Sequence, residues 1–261
     1  MRHEWLRPWA ACVVLGLALG GCASTPGGPS DRVSTRSGGE DELSRGGLAN
    51  VRLAQAYLAA GKTELALDRA NRALKSDPGS AQAHVVIGLV LEKLGDVGRA
   101  GEHYQRAAKL APDAGYVLNT AAVWLCEHDR AAEALVMFDR ATKDLLYAQR
   151  EQAYFNGGRC AALAGDLAKA ETFLRGGLAL DADDPMLLEQ MVRVKVRQGD
   201  MLGARAFFQR RDSLGATPAE MLDLAVRIEQ GAGDAAAAQR YRQRLQSEHP
   251  GYVAPAAGGA P

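Results

Sequence analysis

The sequence predicts an all-α chain, a right-handed solenoid of about six stacked helix–turn–helix units. Three observations carry that expectation. The composition favours helix: aromatics are 6%, alanine, leucine, glutamate and arginine are frequent, and there is little β-branched alternation. Glycines recur at Gly61, Gly95, Gly165, Gly199 and Gly233, in steps of 34, 70, 34 and 34, and the gap of 70 holds a further unit in which Asp129 takes the glycine place. Alanine then follows each of these six positions by five residues, at Ala66, Ala100, Ala134, Ala170, Ala204 and Ala238. A fixed period of this length marks a repeat architecture.

In chain order, the N-terminus comes first. Arg2 and Arg7 precede an apolar run from Ala10 to Leu19, too short for the roughly 20 residues a membrane span needs. A basic start, an apolar middle and small residues at the end describe a secretory signal over residues 1–21. Leu19-Gly20-Gly21-Cys22 resembles the bacterial lipobox. That resemblance implies cleavage before Cys22 and a covalent lipid on its thiol, the one non-protein group expected. Several acyl chains hold a protein to a bilayer stably where one does not. Ala23 and Ser24 follow with no aspartate in second place, which in the common sorting rule favours the outer membrane. Residues 22–46 are rich in Gly, Pro, Ser and charge and are expected to be a flexible linker.

The six units are expected at about 47–80, 81–114, 115–150, 151–184, 185–218 and 219–252. Within each, the glycine closes the turn after the first helix in a left-handed conformation. Asp129 tolerates that conformation better than most residues. The alanine lies early in the second helix, where only a methyl group fits against the first. Pro78, Pro112 and Pro250 end their units, because proline cannot continue a helix. Gly157-Gly158 and Gly176-Gly177 lie inside helical periods, where they let helices approach. Residues 253–261 read as a disordered tail.

These marks resemble the tetratricopeptide repeat. Leu53, Ala54, Tyr57, Ala66, Ala73 and Pro78 carry the likeness in the first unit. Ile87, Gly88, Ala100, Tyr104, Ala107 and Pro112 carry it in the second, and Ala122, Ala134, Phe138 and Ala141 in the third. The later units drift, with Arg211 and Arg242 where small or aromatic residues are usual. One such hairpin cannot bury its apolar face alone; stacking makes the core continuous.

Chemistry is sparse. Lys+Arg and Asp+Glu are 31 each, so the net charge is zero and nucleic acid is not an expected partner. His3, His84, His103, His128 and His249 show no metal-ligand spacing in sequence, so no metal is expected. No P-loop, nucleophile elbow, zincin or dinucleotide-binding pattern occurs. The chain is therefore not expected to be an enzyme, nor to take a small-molecule substrate. Cys126 and Cys160 fall on the first helices of neighbouring units. In the oxidising compartment that secretion implies, either a disulfide between them or two buried thiols fits.

First helices of tetratricopeptide folds line a concave surface at repeat positions near 2, 5, 9 and 12. The first two units place Leu48, Val51, Gln55, Leu58, Val85 and Leu89 there, an apolar strip suited to an apolar segment. The last three place Arg159, Arg193 and Arg227 at position 9, with Arg197 nearby, a ladder suited to carboxylates. Tyr116, Asn119 and Phe155 lie between. Against binding stand cover of the strip by the linker and pairing of the arginines with Glu189 and Asp223.

The stretches WLCEHDR, GGRCA and the R-I-E-x-x-x-G-D of the sixth unit are similar to the type IV pilus biogenesis and stability lipoproteins, the PilF/PilW pilotin family. The Tyr-x-x-x-Glu-x-Ala stretch entering the fourth unit adds to the likeness, while Leu146 and Asp129 depart from it. That resemblance implies a lipoprotein on the periplasmic face of the outer membrane. Its partner would be the pilus secretin, which it helps to insert and assemble. An adaptor for another outer-membrane or cell-wall machine is the alternative.

Overall fold

The computed structural model describes residues 32–33 and 43–254. Cys22 and the rest of the lipobox lie outside the described residues, as do residues 255–261. Within the span expected as linker, β1 (Arg32–Val33) pairs antiparallel with β2 (Leu43–Ser44). The described chain then forms twelve helices in six hairpins. These are α1 (Arg45–Ala59) with α2 (Thr63–Ser76), α3 (Ala81–Lys93) with α4 (Val97–Leu110), and α5 (Gly115–Glu127) with α6 (Ala131–Ala141). Then follow α7 (Arg150–Leu163) with α8 (Leu167–Leu178), α9 (Pro185–Arg197) with α10 (Met201–Asp212), and α11 (Ala219–Gly231) with α12 (Ala235–Glu248).

Each helix packs on its successor, and α1, α3, α5, α7 and α9 also touch in series, which builds a solenoid with the first helices on one face. Helix α1 starts at Arg45, two residues ahead of the expected unit, because the Ser44 hydroxyl caps it and donates to Asp77 at 2.8 Å. No helix among the described residues is long and apolar enough to cross a membrane.

The turns follow from two adjacent residues. All five periodic glycines have φ between 72° and 84°, and Asp129 has φ 59°. The next residue starts the second helix. Asp96, Asp166, Asp200 and Asp234 each accept a backbone N–H three residues on. Gly-Asp therefore stops one helix and starts the next, which sequence reading missed. Lys62 and Arg130 stand at that place in the first and third units and give no side-chain cap.

The six periodic alanines are at most 2% exposed, where each second helix meets its first. One core runs from Ala54 to Val194, and a second, from Val192 to Ile228, serves the last two units. Leu53, matched to a core position of the repeat, is 43% exposed. Its equivalent Ile87 is buried by a preceding hairpin, and among the described residues none precedes α1. The glycine pairs act as expected: Phe173 and Leu174 seat on Gly157 and Gly158, and Tyr154 and Leu187 on Gly176 and Gly177.

The third unit departs from the period. Its second helix is short, and residues 142–149 fold back on α5. Asp144 accepts the Gly115 N–H at 2.8 Å, the cap that Ala114 cannot supply. Tyr147 then lies over Gly115, where a Cβ would sit 2.7 Å from it.

Candidate partner-binding face

The first helices hold every expected face residue, and burial sorts them by repeat position. In the first three units position 5 faces the neighbouring hairpin, and in the last three Phe155, Glu189 and Asp223 at that position are half-buried. Val51 is 1% exposed, Val85 5% and Asn119 8%. Val51 packs with Ala73 and Ala83, with Leu48 half-buried against them. Val85 belongs to the main core, and Leu58 lies half-buried on it. The expected apolar strip is therefore mostly interior, and Val51 and Val85 are corrected from contact residues to core residues. Of that strip only Gln55 and Leu89 stand open, and Leu89 is the one apolar side chain among them.

Position 9 lies one turn further and about 40° around the helix. Gln55, Leu89, Arg159 and Arg227 are exposed there, and Val123 and Arg193 half-buried. The usable face is thus a row of position 9 side chains.

Between the halves sits a buried polar link. Asn156 donates to Asn119 at 3.1 Å, and Gln152 donates to Asn156 at 3.2 Å. Burial pushes the Tyr147 hydroxyl up, and its hydrogen bond to Asn119 works against that. Asn119 is thereby committed to the fold, since an unpaired buried amide is costly. Tyr116 is half-buried, its carbonyl accepting from Thr120 at 2.8 Å. Phe155 lines a pocket of about 220 Å³ with Gln152, Glu151, Asp184 and Met186.

The arginines divide. Arg159 and Arg193 line an open pocket of about 290 Å³ with Arg197, Leu163, Ala162, Gln190 and Val194. Arg159 approaches Glu127 at 3.6 Å, and Arg197 donates to the Ala162 carbonyl at 2.8 Å. Arg193 makes no ion pair with the described residues. Arg227 pairs with Asp223 at 3.5 Å, as the opposing reading expected. Glu189 instead pairs with Arg211 at 2.7 Å, which leaves the ladder free of it. Burial first, then the fields of Asp223 and Glu220, push the Tyr252 hydroxyl up, while Arg227 and Arg193 oppose them. The segment after α12 thus comes near the end of the ladder, and the open part lies between α7 and α9. Arg197 was expected beside the ladder, but Leu163 was missed because it stands at position 13, one beyond the positions read.

Cys126 on α5 and Cys160 on α7 are joined in a disulfide, with Cα atoms 5.9 Å apart. It ties the third unit to the fourth. His84 and His103, 19 residues apart, also meet, with Nδ1 atoms 3.0 Å apart. Among the described residues no group of three or more His, Cys, Asp or Glu could hold a metal ion.

Known proteins match this architecture. A family model, the tetratricopeptide repeat, covers residues 51–115. The fold is the tetratricopeptide-repeat solenoid. The type IV pilus assembly protein PilF of Pseudomonas aeruginosa is 28% identical over 182 residues, 70% of each chain. Its solved structure superposes with a TM-score of 0.68 at 26% identity, covering 79% of this chain and 93% of that one. PilW, a widely conserved type IV pilus biogenesis factor, gives a TM-score of 0.69 at 28% identity, covering 80% and 96%. Tetratricopeptide repeats are protein–protein interaction units.

Proposed function

We propose that this chain is a non-catalytic outer-membrane lipoprotein of type IV pilus biogenesis, a pilotin. It binds the pilus secretin on its first-helix face and promotes secretin localisation and multimerisation. The observation that carries the reading is likeness to PilF and PilW over 79% and 80% of the chain, with all six hairpins in place. Lipid on Cys22 anchors the solenoid to the inner leaflet. A tethered scaffold acts by effective concentration: a bound protomer stays near the membrane where its ring assembles.

The test is a Cys22→Ala variant in the bacterium, read by membrane fractionation and by counting heat-resistant secretin multimers. The variant is expected to fold, leave the membrane fraction and leave multimers scarce. Normal multimers with Cys22→Ala would remove the anchor from the mechanism. Normal multimers in a strain lacking the whole chain would remove the secretin, and another outer-membrane or cell-wall machine would be the client.

A further inference from the structure

The cleft between α7 and α9 carries opposite chemistry at its two ends. At the N-terminal ends, Phe155 and Met186 supply apolar surface beside Glu151 and Asp184. At the C-terminal ends, Arg159, Arg193 and Arg197 surround Leu163, Ala162 and Val194. Glu127 is the one carboxylate paired to these three arginines among the described residues, at 3.6 Å and on the exposed rim. Such a rim pair contributes little, so the guanidinium groups are available to another anion. Each pocket alone is smaller than a usual small-molecule site, and both are open, which suits side chains of a passing chain better than an enclosed ligand.

The anchoring residues are four apart on α7, Phe155 to Arg159, and seven apart on α9, Met186 to Arg193, roughly 6–10 Å at 1.5 Å per residue. An extended peptide covers that distance in about two or three residues at 3.3 Å each. Charge fixes the direction. A carboxylate is attracted to the arginine end and repelled by Glu151 and Asp184 at the other, and the apolar surface of Phe155 and Met186 at that other end suits an apolar side chain.

We infer that the α7–α9 cleft binds an extended protein segment carrying an acidic residue and, about three positions away, a large apolar one. The carboxylate takes charge-assisted hydrogen bonds from Arg193 and Arg159. The apolar side chain covers Phe155 and Met186. This rests on the reading that the first-helix face docks a partner chain, and it names the segment's chemistry.

The probe is a fluorescein-labelled, N-acetylated peptide with one leucine, one aspartate three positions later, and glycine and serine elsewhere. Anisotropy with the mature chain is expected to show saturable binding. Asparagine in place of the aspartate, or Arg193→Gln in the protein, is expected to weaken it about tenfold, the effect of losing one charged hydrogen bond. Moving the aspartate next to the leucine is expected to weaken it similarly. Arg99→Ala, on a distant exposed arginine, is expected to change nothing, and circular dichroism checks that each variant folds. No saturation by about 1 mM peptide, or equal affinity for the asparagine peptide, would overturn the cleft. Co-purification of secretin separates the two readings. A chain that binds the peptide but never secretin keeps the cleft and loses the pilus client. A chain whose Arg193→Gln variant retains full secretin binding, with no peptide binding in the wild type, keeps the client and loses the cleft.

Discussion

The first three hairpins and the last three share one geometry and are held by different means. In the first three, hairpins meet through apolar contacts: Val85, Ile87, Tyr104, Leu118, Leu125 and Phe138 are all at most 5% exposed. In the last three, ion pairs cross from hairpin to hairpin. Lys195 on α9 reaches Glu171 on α8 at 2.9 Å, and Arg205 on α10 pairs with Glu229 on α11. Arg244 on α12 reaches Asp212 on α10 at 2.8 Å. The disulfide lies at the junction of the two regimes. A repeat geometry therefore fixes where helices go, while leaving the attachment between units free to differ. Buried pairs that lose one partner are costly, so the last half should be sensitive to charge and the first half to volume.

Removing the junction should have the largest effect. The disulfide closes 34 residues, and loop-closure entropy gives about 3–4 kcal/mol for that length. Cys126→Ala with Cys160→Ala is expected to lower unfolding free energy by that order in urea. The single transition should also split, because the halves no longer report on each other. One coincident transition at the wild-type midpoint would mean that packing between α5 and α7 alone couples them.

Acid should separate the halves next. In the first half, burial, then the neighbouring His103 and Arg106, lower His84 to about 4. Burial and Arg99 lower His103 as well, against Glu102. A histidine lowered in the fold takes its proton more readily when unfolded, so stability is full above pH 6.5 and falls as pH drops towards 4. In the second half, hydrogen bonds led by Lys195 hold Glu171 down at about 2. That contribution is full above pH 4.5 and is lost as pH falls towards 2. The first half is expected to open first on acidification, by about 1 kcal/mol once the half-exposed rings are discounted for solvent. Hydrogen exchange at pH 5 against pH 7.5 reads it helix by helix. Leu118 and Met137 hold the equivalent places in the third unit, so His84→Leu with His103→Met should abolish the first step and leave the second.

The repeat itself was legible in the sequence because it rests on local rules. A left-handed residue must end each first helix, and only a methyl fits at Ala66 and its equivalents, so both recur visibly. Which side of a first helix is open was less legible. Positions 5 and 9 differ by only about 40°, and Val51, Val85 and Leu89 are equally apolar. Their separation into core and surface depends on how closely the next hairpin approaches, which sequence period does not encode. The Asn119–Asn156 link and the His84–His103 contact join residues 37 and 19 apart, and nothing local announces either. The Arg193 pocket was half legible: Arg159 and Arg193 share position 9, but Leu163 completes it from position 13, outside the positions that line the face.

The smallest expected effect sharpens the same contrast at the turns. All three turns of the last half read Gly-Asp, at Gly165-Asp166, Gly199-Asp200 and Gly233-Asp234. In the first half only Gly95-Asp96 does; the first unit has Gly61-Lys62 and the third Asp129-Arg130. The third turn thus bears a side chain at φ 59° and a second helix without a side-chain cap. Asp129→Gly relieves the left-handed backbone, partly offset by the greater freedom glycine has when unfolded. Arg130→Asp supplies the missing cap, for about 1 kcal/mol. It also removes the Arg130–Glu133 pair at 2.7 Å, which is exposed and so contributes little. The double variant is expected to raise stability by about 1 kcal/mol in urea. The same pair of changes reversed in the last half, Gly199→Asp with Asp200→Arg, should cost more. Asp200 there also holds Lys195 at 3.2 Å, and the buried ammonium would lose one of its two carboxylates. Equal and opposite effects at the two turns would mean that the turns are independent of the ion pairs beside them.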